Sequence, residues 1–114
     1  MHRLPKLTHE EFQDYWYGTH APLVKGLASA MRIRRYVQLH PTQMALTTAM
    51  ARFRGLDDPI DGAAELWWDS IEDMTLQSPE GRDATRILIE DEKMFVDLPR
   101  SSLLLVNDRP IIDP

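Results

Sequence analysis

Residues 31–40, MRIRRYVQLH, decide the fold because their side chains alternate between apolar and polar. One side of the stretch is apolar, with Arg35 as the single interruption, and carries Met31, Ile33, Val37 and Leu39. A period of two residues is typical of a β-strand that packs one face on a core and turns the other towards solvent or a pocket. The stretch therefore predicts a strand over residues 31–40 that ends at Pro41.

The residues before this strand predict a helix. Thr8 and Glu11 form a capping box, in which each side chain bonds the backbone N–H of the other residue. Apolar residues then recur at helical spacing, and Phe12, Tyr15 and Trp16 are expected in the core. Pro22 removes one backbone donor from this helix, so a kink is expected near residues 18–21.

The residues after the strand predict a second strand, a helical region and a third strand. Residues 63–69 alternate again, and Ser70 and Ser78 are N-cap residues of the helical region that follows. Residues 101–108 contain the apolar run LLLV at 103–106, which is typical of a buried strand. This order of elements predicts one α+β domain over residues 1–114, with an antiparallel sheet and helices on one face.

Three segments depart from a regular βαββαβ unit. Residues 1–7 are long enough only for a truncated stub of the first strand. Residues 42–56 are long for a hairpin connection and predict a helical insertion, which either fills space or forms a lid over a pocket. Residues 109–114 are expected to form a C-terminal arm.

Composition excludes several classes of function. The 114 residues include no cysteine, which excludes disulfides, Cys-ligated metals and thiol nucleophiles. The net charge of −5 disfavours nucleic-acid binding, and no apolar run is long enough to span a membrane. A cytoplasmic protein without nucleic-acid or membrane partners is expected. Residues 1–56 carry eight basic and three acidic side chains, which indicates either pairing within the fold or a partly basic pocket.

The polar face of the first predicted strand carries the first group of candidate site residues, Arg34, Tyr36, Gln38 and His40. Their period-two spacing places them on one face, which either meets solvent or lines a pocket. A tyrosine hydroxyl next to a histidine can polarise a carbonyl group and transfer a proton. Tyr36 and His40 are therefore candidate catalytic residues, and Arg34 and Gln38 are candidate substrate-binding residues.

His20 is another candidate for acid–base catalysis because it lies beside the expected kink. Its ring alternatively satisfies a carbonyl group that Pro22 leaves without a donor. Glu65 and Trp67 share one face of the second strand and would join the same cavity if the polar faces match. Glu65 is then either a general base or an ion-pair partner of Arg32 or Arg34, and Trp67 stacks on an aromatic ligand.

No cofactor or metal site is predicted from the sequence. The four histidines lack the spacing of the helical zinc motifs, and no glycine-rich phosphate loop is present. The spacing neither supports nor excludes haem ligation by His20 or His40.

Several short blocks occur along the chain in a recognisable order. They are LTHEEF (7–12), YW (15–16), HAPL (20–23), RYVQLH (35–40), DGAAELWWDS (61–70), SPE (78–80), FVD (95–97) and LLLV (103–106). In this combination the sequence resembles the EthD family of the dimeric α+β barrel superfamily. The resemblance covers about residues 7–106.

The resemblance implies a ferredoxin-like subunit that pairs with a second copy to close a barrel, with a ligand cavity between sheet and helices. It implies small-molecule metabolism: cofactor-free decarboxylation, dehydration or cyclisation in polyketide tailoring, or oxygen-dependent oxidation. The expected substrate is hydrophobic, aromatic or polyketide-like, and a lyase or an oxidoreductase is expected. A non-catalytic ligand-binding accessory protein and a haem-associated oxidoreductase component are the alternatives.

Overall fold

A computed structural model describes all residues, 1–114, and places helices beside a two-stranded antiparallel sheet. The α-helices are α1 (His9–Tyr15), α2 (Ala21–Leu27), α3 (Met44–Phe53), α4 (Ile71–Thr75) and α5 (Pro79–Glu92), and the strands are β1 (Arg35–Leu39) and β2 (Ala63–Trp67). A π-helical turn, Trp16–His20, joins α1 to α2, and a 3₁₀ turn, Leu98–Arg100, follows α5. The α+β class is confirmed. None of the helices combines the length and apolar character needed to cross a bilayer.

The N-terminal helix begins where the sequence predicts, and its α-helical hydrogen bonding is interrupted ahead of Pro22. The Glu11 N–H donates to the Thr8 hydroxyl at 3.0 Å, and the Thr8 N–H donates to the Glu11 carboxylate at 2.9 Å. Ahead of Pro22 the helix widens into the π turn, in which the Ala21 N–H donates to the Trp16 carbonyl. This π turn at residues 16–20 overlaps the position where the sequence predicts a kink, near residues 18–21, and π turns are often found at functional sites.

The register of the sheet separates two groups of residues that the sequence placed together. Tyr36 pairs with Leu66, and Val37 pairs with Glu65. Paired residues of an antiparallel ladder project to the same face, so Glu65 and Trp67 lie on the face opposite Tyr36 and Gln38. The prediction that Glu65 and Trp67 share the cavity of Tyr36 was wrong. It required the polar sides of the two strands to lie on the same face, whereas in the observed register Glu65 pairs with the apolar Val37.

Both strands are shorter than predicted, and the third predicted strand is absent. Arg32 adopts a positive φ of 62° in a turn, so β1 begins only at Arg35. Residues 101–108 have no regular structure, and Leu103–Val106 are 64–89% exposed. The prediction of a buried strand there was wrong because a strand needs a hydrogen-bonding partner. The N-terminal segment, which would be the neighbouring strand, forms only one isolated β-bridge, between Arg3 and Val96.

The core consists of two small clusters of side chains between the N-terminal helices and α5. The first cluster contains Phe12, Trp16, Phe95 and Val96, and the second contains Val24, Met31, Ala84 and Leu88. The expectation that Phe12 and Trp16 are core residues is confirmed. Helix α3 buries none of its residues, so the predicted helical insertion exists, and its function as a lid stays a prediction.

The position of the Trp16 ring explains why residue 62, in the DG block ahead of β2, is a glycine. A Cβ atom at residue 62 would lie 2.5 Å from Cζ3 of the buried Trp16 ring. Real Cβ atoms do not approach this closely, so only glycine allows the ring to lie against the backbone at the start of β2.

Candidate functional site

The first part of the site is a chain of hydrogen bonds along one face of β1. The Gln38 amide nitrogen donates to the Tyr36 hydroxyl at 2.8 Å and to the Trp16 carbonyl at 2.9 Å. The Gln38 amide oxygen lies 2.7 Å from Nε2 of His40. The three side chains lie together as the sequence predicts, although His40 lies one residue beyond the end of β1. Gln38 also ties that face to the π turn.

His40 is held between aromatic rings at the end of this chain. Its imidazole stacks on Trp16 with ring centroids 4.3 Å apart, and Tyr17 meets it edge-on. Burial lowers the pKa of His40, and the nearby His9 lowers it further. Both effects disfavour the charged imidazolium, so His40 is held as a neutral hydrogen-bonding group.

The second part of the site is a buried network centred on Asp91 near the end of α5. Nδ1 of His20 lies 2.7 Å from one carboxylate oxygen, and the Tyr15 hydroxyl donates to the other at 2.6 Å. His20 is only 5% exposed, and its ring packs against Phe95 at a centroid distance of 4.9 Å. Hydrogen bonding to Asp91 raises the pKa of Tyr15, since the phenol stabilises the carboxylate only while it keeps its proton.

Glu92 links the two parts electrostatically. Burial raises the pKa of Glu92, the neighbouring His20 opposes that rise, and Asp91 adds to it. Burial also raises the pKa of Tyr36, and the negative charge of Glu92 adds to that rise, while polar contacts with Gln38 and Trp16 oppose it. Groups whose pKa values are displaced by burial and by one another are typical of sites that move protons.

The predicted site residues Glu65 and Trp67 lie on the other face of the sheet, and the predicted ion pairs of Glu65 do not form. Glu65 is exposed on the outer face of β2, and it pairs with neither Arg32 nor Arg34. Arg34 instead lies 3.5 Å from Asp69, and Arg32 lies 3.4 Å from Asp73. Trp67 lies under the Arg35 guanidinium, 4.6 Å from the ring centroid. The predicted general base Glu65 and the predicted stacking residue Trp67 are therefore separated from the Tyr36 face.

Asp91 and Glu92 are site residues that the sequence pattern does not predict, and the same pattern places Tyr15 only in the core. A signal for Asp91 was present, because it interrupts an apolar stripe with helical spacing, Ala84, Leu88, Asp91 and Phe95. A carboxylate on the buried face of a helix needs a buried hydrogen-bond partner. His20, which is 71 residues away in sequence, is that partner.

An open groove of about 700 Å³ runs beside the site, between the helix around Pro22 and the start of β1. Tyr36 belongs to both the groove and the hydrogen-bonded chain on β1, because it lines the groove and accepts a hydrogen bond from Gln38. Ala21, Pro22, Val24 and Ile33 supply apolar surface in the groove, and Lys25, Arg34 and Arg35 supply positive charge.

The arrangement is suited to proton transfer rather than to metal binding. No group of three or more histidine and carboxylate side chains is placed to hold a metal ion. The Asp91 carboxylate instead orients the His20 imidazole through Nδ1, which leaves Nε2 available to accept or donate a proton.

Comparison with known proteins places the chain in a family. Residues 4–99 match the EthD domain, and this range is most of the chain. The chain belongs to the EthD family. The match confirms the resemblance seen in the sequence, and it ends before the apolar run at residues 103–106. No curated protein and no solved structure is significantly similar to the chain.

Membership of the EthD family does not assign a role to any side chain of this chain. Within the EthD domain, the capping box lies at the start of α1, and the HAPL block joins the last residue of the π turn to the start of α2. The DG block contains the glycine against the Trp16 ring. Each of these blocks has a structural reason, and His20 is the residue that also enters the polar network around Asp91.

Proposed function

We propose that this EthD domain protein is a small-molecule enzyme that uses acid–base chemistry without a cofactor. Its substrate is a hydrophobic, aromatic or polyketide-like molecule that carries a carbonyl group. The observation that carries this proposal is the hydrogen-bonded set Tyr15–Asp91–His20, in which one carboxylate bridges a phenol and a buried imidazole. A base that is oriented by a carboxylate is a recurring arrangement in proton-transfer enzymes.

Each polar residue of the site has a distinct role in this proposal. Asp91 accepts the Nδ1 hydrogen of His20, so that Nε2 carries the free lone pair and acts as the base. Because Gln38 donates to the Tyr36 oxygen, the Tyr36 hydroxyl hydrogen is free to bond the carbonyl oxygen of a substrate. Negative charge that develops on that oxygen is stabilised by this bond. His40 positions Gln38 because its neutral ring, protonated at Nε2, donates to the Gln38 amide oxygen.

The chemistry begins with removal of a proton from the carbon next to the carbonyl group. Nε2 of His20 takes the proton, and the electron pair of the C–H bond moves into an enolate that Tyr36 stabilises. In a dehydration the β-hydroxyl takes this proton back from His20 and leaves as water. In a cyclisation the enolate carbon attacks a second carbonyl group, whose oxygen takes the proton from His20. A β-keto carboxylate forms the enolate by release of carbon dioxide without prior removal of a proton, and the carbon then takes a proton from His20 that is already protonated. Transfer of an electron from the enolate to dioxygen starts the oxidative alternative.

A panel of aromatic β-keto acids and β-hydroxy ketones tests the proposal. Products are identified by mass spectrometry for the wild type and for His20→Gln and Tyr36→Phe. Acid–base groups contribute about 10²–10⁴-fold to rates, so we expect His20→Gln to lose at least tenfold in kcat. His2→Gln changes a histidine outside the network and serves as the matched control. Turnover that is unchanged in His20→Gln contradicts the proposed role of His20.

A ligand-binding protein without catalytic activity is the second candidate function. The observation that favours it is the low exposure of His20, which does not line the groove, whereas Tyr36 does. A binding protein needs only the groove and Tyr36, and it has no need for an accessible base. Recovery of a bound ligand in unchanged chemical form, together with normal binding by His20→Gln, supports this function over an enzyme.

We also propose that the protein forms a homodimer. Leu103–Val106 expose most of their apolar surface, and each strand of the two-stranded sheet has one edge without a partner. Exposed apolar runs and open strand edges promote pairing with another chain. Light scattering after size exclusion at micromolar concentration should give twice the chain mass of 13.2 kDa. A mass of one chain contradicts the dimer.

A further inference from the structure

We propose that the open groove beside Tyr36 binds an amphipathic carboxylate, with the anionic group at the basic rim and the apolar body on the floor. The inference deepens the proposed function and rests on it in one respect, since a bound ligand reaches the polar network through Tyr36. It specifies the substrate as an anion, which the acid–base chemistry alone does not require.

The rim of the groove concentrates positive charge on a protein that is acidic as a whole. Lys25, Arg34 and Arg35 line the groove, no carboxylate side chain does, and the net charge of the chain is −5. Arg34 is shared with Asp69 in an exposed ion pair. The ion pairs of the chain do not include Lys25, so its ammonium group is free to meet an anionic ligand.

The Arg35 guanidinium is held over the Trp67 ring, on the face of the sheet opposite Tyr36. The cations left to the groove are therefore Lys25 and Arg34. A planar guanidinium binds a carboxylate through two parallel hydrogen bonds, which favours a carboxylate over a neutral oxygen.

The floor of the groove is suited to a flat apolar group. Ala21, Pro22, Val24 and Ile33 form it, and Tyr17 and Tyr36 lie among the lining residues. Small ligand sites commonly combine an apolar wall with a few convergent polar groups. Gly18 also lines the groove, and the space where its Cβ would lie is open, with no atom within 4 Å.

Two isosteric probes test the charge requirement. The naphthalene ring of 2-naphthoate and 2-naphthamide is the same, and only the first carries a negative charge. We expect NMR titration of backbone amide signals to show 2-naphthoate binding at least fivefold more tightly than 2-naphthamide at low salt, with the largest shifts at Gly18, Ile33 and Tyr36. Added salt should reduce this difference in affinity, because the basic groups that line the groove are exposed to solvent and their attraction for the carboxylate is screened. Equal affinity for the two probes overturns the proposal.

Matched variants test the location. Gly18→Leu fills the groove, whereas Gly26→Leu makes the same change at another helical glycine with open space, outside the groove. We expect Gly18→Leu to weaken 2-naphthoate binding at least tenfold and Gly26→Leu to leave it within twofold. The double variant Lys25→Gln/Arg34→Gln should remove the preference for 2-naphthoate, while Lys93→Gln, a lysine paired with Glu90, should retain it. Equal effects of Gly18→Leu and Gly26→Leu overturn the assignment of the groove.

Light scattering tests whether a second copy of the chain, rather than a small ligand, occupies the groove. If Gly18→Leu converts a dimer into a monomer, a second copy of the chain covers the groove and the ligand proposal is wrong. Catalysis is measured separately with neutral ketones. Binding of 2-naphthoate without any catalysis leaves this inference standing and contradicts the enzyme. Catalysis of neutral ketones without a preference for 2-naphthoate contradicts only the inference.

Discussion

Replacement of Asp91 by alanine tests how much the buried network stabilises the fold. The Asp91 carboxylate accepts from the Tyr15 hydroxyl at 2.6 Å and from Nδ1 of His20 at 2.7 Å. A hydrogen bond to a charged group contributes about 1.5–3 kcal/mol, and a buried donor left without a partner is costly. The Asp91 side chain is 16% exposed, so water compensates part of the loss. We expect Asp91→Ala to lower the free energy of unfolding by about 3 kcal/mol.

Urea unfolding followed by tryptophan fluorescence measures this loss, with Asp83→Ala as the matched control. Asp83 lies on the same helix but is largely exposed and pairs only with Arg86. Exposed ion pairs contribute at most about 1 kcal/mol, so we expect Asp83→Ala to cost less than that. Asp91→Asn keeps one acceptor oxygen, and it should lose about half as much stability as Asp91→Ala. It should also lower the pKa of Tyr15, because the hydrogen bond to the Asp91 carboxylate is what raises that pKa most.

Urea unfolding curves with equal midpoints and slopes for Asp91→Ala and Asp83→Ala would refute the claim that the buried network stabilises the fold. That result would mean that the contacts of Tyr15 and His20 with Asp91 contribute nothing beyond an exposed ion pair. A Tyr15 pKa that does not change in Asp91→Asn would refute the hydrogen bond itself.

Two further predictions concern residues around the Trp16 ring. Gly62→Ala should destabilise the protein by about 1–3 kcal/mol in urea unfolding, because the new Cβ collides with Trp16, and a loss no larger than that of Gly26→Ala contradicts this. Burial lowers the pKa of His40 below 6.5, so the unfolded chain binds a proton more readily and stability falls as the pH drops through 6.5. His40→Phe should therefore flatten the decline in melting temperature between about pH 7.5 and 5.5, and an unchanged pH profile contradicts the burial of His40.

The features that the sequence predicted correctly depend on residues close together in the chain. The capping box needs only Thr8 and Glu11, and an irregularity in the helix ahead of residue 22 needs only the missing N–H of Pro22. Tyr36, Gln38 and His40 lie on one face because alternate residues of any strand do. This part of the site could therefore be predicted without knowledge of the remaining fold.

The features that the sequence missed depend on contacts between distant segments. Asp91 meets His20 across 71 residues, and this contact depends on how α5 packs on the π turn. The position of Glu65 depends on the register between β1 and β2, and a shift by one residue would move its side chain to the other face. The apolar run at 103–106 has the composition of a buried strand, but the structure has no neighbouring strand with which it could pair, and its side chains are exposed.

Hydrogen–deuterium exchange on 2-tetralone tests the central claim, proton transfer by His20, most directly. This neutral ketone has acidic hydrogens next to its carbonyl group, and their replacement by deuterium in D₂O is followed by proton NMR. We expect the wild type to accelerate the exchange over buffer, His20→Gln and Tyr36→Phe to lose at least about tenfold of the acceleration, and His2→Gln to retain it. Exchange in the wild type no faster than in buffer, or equally fast in His20→Gln, would contradict the account.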